Sequence, residues 1–300
     1  MDIKKYKALL RAADCGSFAK AAQELMYTQS GITHMMNNLE KELGFPMFVR
    51  TNSGVMLTDE GKNVLPLIRE LVNLNEQLEQ EFAQIHHMDY GNLKIASYSS
   101  VAICWLPRIM KRFRSQYPNV RVEILEEGNC ATMETWLSEG RVELCFFTLE
   151  PEYTFDKIEI LDDPMLAVLP KDHPLTSQAA VSVQQLVKEP FLMSNAYQDV
   201  LRLLKRSDTP PNVICTSNLD HTLISMIEQG LGVSIMSALM MSGWEYRVTT
   251  RPLSPAATRK LGFAARSLKN LSPAAKKFIS CTREVLREIL PQSSLSRDLL

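Results

Sequence analysis

Between Val64 and Ile85 one set of positions recurs at alternating steps of four and three residues: Val64, Ile68, Leu71, Asn75, Leu78, Phe82 and Ile85. All but Asn75 are apolar. The mean step is that of a coiled-coil seam, not of a helix lying on a single core. Such a helix carries an apolar edge along its whole length and needs a second helix to cover it. The pattern predicts a long helix and a paired chain, with dimerisation through Val64, Ile68, Leu71, Asn75, Leu78 and Phe82. Thr58 is its expected cap, and Asp59 and Glu60 complement the dipole of the first turn. Pro66 lies close enough to the start to bend it only mildly. Asn75 reads either as a polar residue on a partly wet helix or as a buried amide that fixes the register of the pair.

The residues before this helix form a second pattern. Ile3, Tyr6, Leu9, Leu10 and Ala13 make one helical stripe, and Gly16 supplies a left-handed stop. Ser17 is the expected N-cap by residue class, and Phe18, Ala21, Ala22 and Leu25 face inward on a short helix. Thr28 then caps a third helix reaching Leu43. Ile32, Met35 or Met36, Leu39 and Leu43 form its apolar stripe. Gln29, Ser30, Thr33, His34 and Asn37 crowd the opposite edge near its N-terminus. Such side chains can bond base edges or phosphates from a major groove. The order helix, tight turn, helix reads as a helix-turn-helix, against the plainer alternative of a three-helix bundle with a solvated polar face. Residues 45–50 and 55–57 then flank Thr51-Asn52-Ser53-Gly54 as a hairpin. A hairpin here is a wing, with Arg50 at its base in reach of a phosphate.

Charge limits how such a unit could bind. The 300 residues carry 33 Lys+Arg and 34 Asp+Glu, a formal net charge of -1. The whole chain is therefore no polycation, and binding to nucleic acid would need a local face and several units acting together. The length suits two or three domains. The six cysteines, Cys15, Cys104, Cys130, Cys145, Cys215 and Cys281, form no CxxC pair, so neither a zinc ribbon nor a thioredoxin-type site is written. His86-His87 point in different directions on a helix and do not make a metal site. The opening residues hold no signal-peptide core, and no apolar run reaches the roughly 18 residues of a membrane span. The expectation is a reduced, cytoplasmic protein without metal or cofactor.

Gly16-Ser17-Phe18, Ala21-Ala22, Leu25, Gln29-Ser30, Ile32-Thr33, Leu39-Glu40, Leu43-Gly44, Phe48, Arg50, Leu57-Thr58 and Gly61 resemble the N-terminal signature of LysR-type transcriptional regulators. The resemblance covers the first sixty residues densely. It implies that Ser17, Gln29, Ser30, Thr33, His34 and Asn37 serve DNA binding, with Arg50 as the wing contact. Ser30 stands where the family usually has Pro, and Asn52-Ser53 replace a basic wing tip. Further implied are a dimer or tetramer that bends promoter DNA, and a small-molecule effector. The partners expected are double-stranded promoter DNA, that effector and further copies of the chain, with RNA polymerase as an additional candidate.

After Gly91-Asn92 the pattern alternates between strands and helices, as in α/β folds. Strands are expected at 93–97, 120–125, 143–148, 165–169, 191–193, 213–216, 233–236 and 261–265. One helix is expected at 100–117, and 291–300 reads as a frayed tail. Two such lobes resemble the effector part of the same family, which is similar to periplasmic binding proteins. The fold class is thus α/β: a winged helix-turn-helix (1–58), a long linker helix (59–90) and a two-lobed effector domain (91–300). Lobe I would span about 91–161 and 266–290, and lobe II about 162–265. Ligands in open α/β folds bind beyond the carboxyl ends of strands. That nominates Tyr98, Ser99, Ser100, Phe147, Thr148, Ser194, Asn195, Thr216, Ser217 and Arg266 as effector contacts. The serines after the first strand and Arg266 suit a small anionic metabolite.

Two other classes compete. An enzyme on these lobes would need a catalytic motif, and no GxSxG, HExxH, P-loop or strand-borne GxGxxG occurs. A redox-sensing regulator of the same family would need two cysteines that approach on oxidation.

Overall fold

Asp2 opens helix α1 (Ile3–Cys15) by accepting the Lys4 amide at 3.0 Å, and Gly16, at φ 60°, closes it in the left-handed region. The structure, a computed structural model, describes residues 2–51, 54–85, 90–149, 153–194, 198–243, 245–291 and 295–296, without the side chain of Gln84. The chain divides into two compact units, Met1–His86 with Glu139–Arg141 and His87–Ser138 with Val142–Leu300.

In the first unit α2 (Phe18–Glu24) follows a cap in which the Ser17 hydroxyl accepts the Lys20 amide at 3.4 Å. Thr28 does the same for α3 (Gln29–Leu43), accepting from Gly31 at 3.0 Å. Buried Leu9, Ala12, Ala21, Ile32, Met36 and Leu39 make the core, which settles the Met35/Met36 choice for Met36. Strands β1 (Phe48–Thr51) and β2 (Gly54–Leu57) pair antiparallel, Phe48 opposite Leu57. The wing is pinned at both ends. At its base one Glu40 oxygen accepts the Met47 and Phe48 amides at 2.7 and 3.0 Å. Near its tip the Val55 amide donates to Gly16 O at 2.9 Å. Gly54 sits at φ 144°, where a Cβ would lie 2.2 Å from that same oxygen, so only glycine lets the strand approach. The tip residues Asn52-Ser53 lie outside the described residues.

Helix α4 (Asp59–Ile85) spans 27 residues, and the seam expected along it divides. Val64 and Ile68 pack, with Val72, into the core of the helix-turn-helix. They are corrected from the pairing edge to that core, because the first turns of α4 close the bundle against α1. Arg69 there donates to both Asp14 oxygens at 2.7 and 3.3 Å. The exposed apolar edge is instead Leu67, Leu71, Leu74, Leu78, Phe82 and Ile85. Asn75 donates to Glu79 of its own helix at 2.9 Å, one helical turn away.

In the second unit β3 (Tyr90–Ser97), α5 (Ser99–Cys104), α6 (Leu106–Gln116), β4 (Asn119–Glu126), α7 (Cys130–Ser138) and β5 (Leu144–Thr148) alternate. β3 lies between β4 and β5 and is parallel to both. The single helix expected over 100–117 breaks at the buried Trp105, since Pro107 cannot donate an amide to the carbonyls of α5. β6 (Asp156–Pro170) is followed by α8 (Val183–Leu186), β7 (Pro190–Ser194), α9 (Gln198–Leu204), β8 (Asn212–Ser217) and α10 (Asp220–Glu228). Then come β9 (Ser234–Ser237), α11 (Ala238–Ser242), β10 (Val248–Pro252), β11 (Thr258–Ala265) and α12 (Pro273–Ile289).

β6 runs through both lobes. Its first half pairs antiparallel with β11, and its second half with β9 and β10. β11 also pairs antiparallel with β5 and buries Leu261, Phe263 and Ala264 in the lobe I core. The chain therefore re-enters lobe I near 258, ahead of the expected 266. β7 and β8 pair in parallel, and β7 bridges to Val233 beside β9. Within the tail expected to fray, Leu295 is buried and bridges Leu161 on β6.

Candidate functional site

α3 places its two faces by helical spacing alone. Ile32, Met36 and Leu39 turn inward, so Gln29, Ser30, His34 and Asn37 stand exposed on the other side. Thr33 is half-buried, and its hydroxyl donates to Gln29 O at 2.9 Å. The His34 ring meets Asn38 at 3.0 Å. Arg50 is exposed on β1, and Ser17, half-buried, is committed to its cap. A polar helix edge beside a wing bearing a guanidinium can enter a major groove while the wing meets the backbone.

The second site is a cleft of about 380 Å³, its open mouth included. Its polar lining is Ser100, Ser194, Ser234 and Ser237, with Asp199, Asp220 and Arg259 as the charged groups. Met165, Val200, Leu223, Ile235, Met236 and Met240 supply the apolar wall. Arg259 is the organising residue. Its Nε and Nη2 donate to Asp163 Oδ2 at 3.0 and 2.8 Å, and Nη2 also reaches Ser100 Oγ and Ser237 Oγ at 2.9 and 2.8 Å. Asp163 uses its other oxygen to accept the Leu239 amide at the start of α11, 2.9 Å away. One buried guanidinium thus ties α5 of lobe I, the crossing strand β6 and β9 of lobe II.

Of the nominated effector contacts, the lining includes Ser100 and Ser194. Asn195 lies outside the described residues. Tyr98 is corrected to the lobe I core: it is fully buried, with its hydroxyl on Cys130 and the Arg259 guanidinium 5.3 Å from its ring centre. Burial, then the nearby Cys130, pushes that hydroxyl well above its usual range. Phe147 is likewise core and stacks on Tyr153. Ser99 is half-buried and outside the lining. Thr148 stands behind the wall and donates to Asp199 at 2.8 Å. Thr216 and Ser217 end the outer strand β8, and Ser217 caps the Leu219 amide at 3.1 Å, away from the cleft. Arg266 is exposed at the wrong end of its strand. β11 runs antiparallel to β5, with Leu261 opposite Thr148, so its first residues reach the carboxyl end of β5 and Arg266 the other end. The cation of the cleft is Arg259.

The family models agree with this division. Residues 3–62 match the model described as bacterial regulatory helix-turn-helix protein, lysR family, and residues 87–287 match the LysR substrate binding domain. The HTH-type transcriptional regulator YvbU of Bacillus subtilis is 32% identical over 293 residues, covering 95% of this chain and 99% of that one. The chain belongs to the LysR family. The activator CmpR of Synechocystis is 27% identical over 240 residues, covering 78% of each chain. Among solved structures, a full-length OxyR variant from Pseudomonas aeruginosa superposes with a TM-score of 0.75 at 20% identity, covering 99% of this chain and 98% of that one. Full-length CbnR in complex with its target DNA gives 0.63 at 18% identity, over 95% and 100%. At these identities the likeness shows the fold.

Other chemistry in this LysR-family protein is sparse. Among the described residues no group of three or more His, Cys, Asp or Glu could hold a metal, and His86-His87 lie outside them. No described helix is long and apolar enough to cross a membrane. The cysteines are free thiols. Burial pushes those of Cys145 and Cys104 upward and that of Cys281 to about 11, which disfavours the reactive thiolate. Asp199, Asp220 and Arg259 escaped the sequence reading. The two aspartates begin helices, where acidic residues are ordinary caps, and Arg259 precedes the strand-end rule that nominated Arg266.

Proposed function

We propose that this chain is a sequence-specific transcription regulator whose promoter binding responds to a small molecule held in the cleft. The observation that carries the first half is the exposed polar edge of α3 beside the pinned wing. The second half is supported by the cleft within the matched substrate-binding domain. CbnR, named in complex with its target DNA, offers a precedent for how this architecture meets a duplex. Its place of action would be the cytoplasm. A ligand that favours one arrangement of the lobes by about 1–3 kcal/mol would suffice to shift promoter occupancy.

Gel retardation with the intergenic DNA upstream of its own gene tests the reading. Thr33→Ala and Asn37→Ala should each weaken the specific site by about 10-fold, the scale of one lost base contact, and leave unrelated DNA nearly unaffected. Equal loss on both DNAs would sink the base-reading assignment. The thiol alternative predicts a difference between reduced and oxidised protein; burial argues against Cys130, Cys145 and Cys281 as its sensors, while Cys15, Cys104 and Cys215 are half-buried.

Pairing would run along the exposed edge of α4. The Leu74→Arg, Leu78→Arg double variant should elute with the mass of one chain in light scattering, where the parent gives a dimer or tetramer. An unchanged assembly would remove α4 from the interface.

A further inference from the structure

Helix α2 ends in a way that its own residues do not favour. The Tyr27 amide donates back to Ala22 O at 2.9 Å and the Met26 amide to Gln23 O at 3.4 Å, the paired bonds that close a helix through one left-handed residue. That residue is Met26, at φ 57°, and among the described residues no other non-glycine has a positive φ. Glycine takes this conformation without strain, whereas any Cβ crowds the following carbonyl. α1 and α3 close on glycines, Gly16 and Gly44. Packing does not offset the strain at Met26, because the residue is 95% exposed.

We infer that Met26 is a further DNA-contacting residue, whose thioether chain lies against thymine methyl groups in the major groove. This rests on reading the polar edge of α3 as the DNA-binding face.

Position and chemistry carry the assignment. Met26, Tyr27, Thr28, Gln29 and Ser30 are five exposed residues in a row, so the turn and the leading end of α3 form one continuous strip. Met26 stands three residues before Gln29, which keeps their Cα atoms within about 11 Å of each other. Its unbranched side chain extends that reach and adapts to the shape it meets. Among base edges in the major groove, the thymine methyl is the apolar group. A contact there removes from water apolar surface that the free protein leaves exposed, and Tyr27, 45% exposed, widens the same patch. Left-handed backbone at a residue other than glycine persists where the side chain serves a partner.

The test uses the full chain at constant ionic strength, because DNA affinity depends steeply on salt. Gel retardation is run on the intergenic DNA named above, once with thymidine and once with deoxyuridine throughout, which lacks only the methyl groups. Met26→Gly and Met26→Asn suit a left-handed backbone, so both should melt no lower than the parent. Both should nonetheless weaken the specific site by about 3- to 10-fold and leave unrelated DNA nearly unaffected. On the deoxyuridine DNA the parent should lose affinity, and the difference between parent and variants should shrink, since one partner of the contact is already gone. Unchanged affinity in both variants would overturn the inference. So would a loss of the same size on thymidine and deoxyuridine DNA, which would move the contact off the methyl groups. A lower Tm in both variants alongside weaker binding would make Met26 a residue of the fold and overturn it too. Absence of specific retardation by the parent would count against the reading of α3 itself.

Discussion

Arg259→Met should lower the melting temperature of the effector unit by roughly 6–20 °C. The side chain is 5% exposed and Asp163 only 2%, and removing the guanidinium leaves that carboxylate buried without its counter-charge. Breaking such a pair from one side costs about 3–5 kcal/mol, and in a domain of about 200 residues each kcal/mol moves Tm by about 2–4 °C. Ser100 and Ser237 lose a shared donor at the same time, one on each lobe. Asp163→Leu should cost as much, since it also strips the amide of Leu239 of its acceptor. The double variant should recover a large part of the loss, because an apolar pair of similar volume carries no desolvation penalty. Differential scanning calorimetry reads all three. Equal melting points for parent and Arg259→Met would show that the pair is not the tie between lobes described above.

Asp14→Ala should destabilise the DNA-binding unit by about 3 kcal/mol. Arg69 is 5% exposed and its fork closes on Asp14, joining α1 to α4. The low end of the range for buried pairs applies, because the Asp14 side chain keeps 14% of its exposure. For a unit of under 100 residues that is a drop of about 12–24 °C. Specific DNA retardation should persist at 10 °C and fall sharply at 37 °C, while the effector unit melts as before. Loss of retardation to the same degree at both temperatures would mean that Asp14 acts on DNA and not on the fold.

The local periodicities were legible in the sequence. The caps at Ser17 and Thr28, the left-handed Gly16 and the two faces of α3 follow from residue type and a step of 3.6, and each is found. So does the buried strand β5, whose run Leu-Cys-Phe-Phe-Thr fits a strand covered on both faces. The first half of β6 lies outside the strands expected from the sequence, because Asp156, Lys157, Glu159 and Asp162 interrupt its apolar residues. Lys157 and Glu159 alternate with Ile158 and Ile160, which face the core, and Asp162 turns outward only after the register shift against β11 between Glu159 and Leu161.

What the sequence determined by itself was whatever depends on neighbours along the chain: helix edges, stops, and a family signature carried by short spacings. What only the tertiary structure decided was which ends of strands meet. Strand direction placed Arg259, not Arg266, at the cleft, and bundle closure took Val64 and Ile68 from the pairing edge. Both depend on contacts between residues far apart in sequence, which no local spacing encodes.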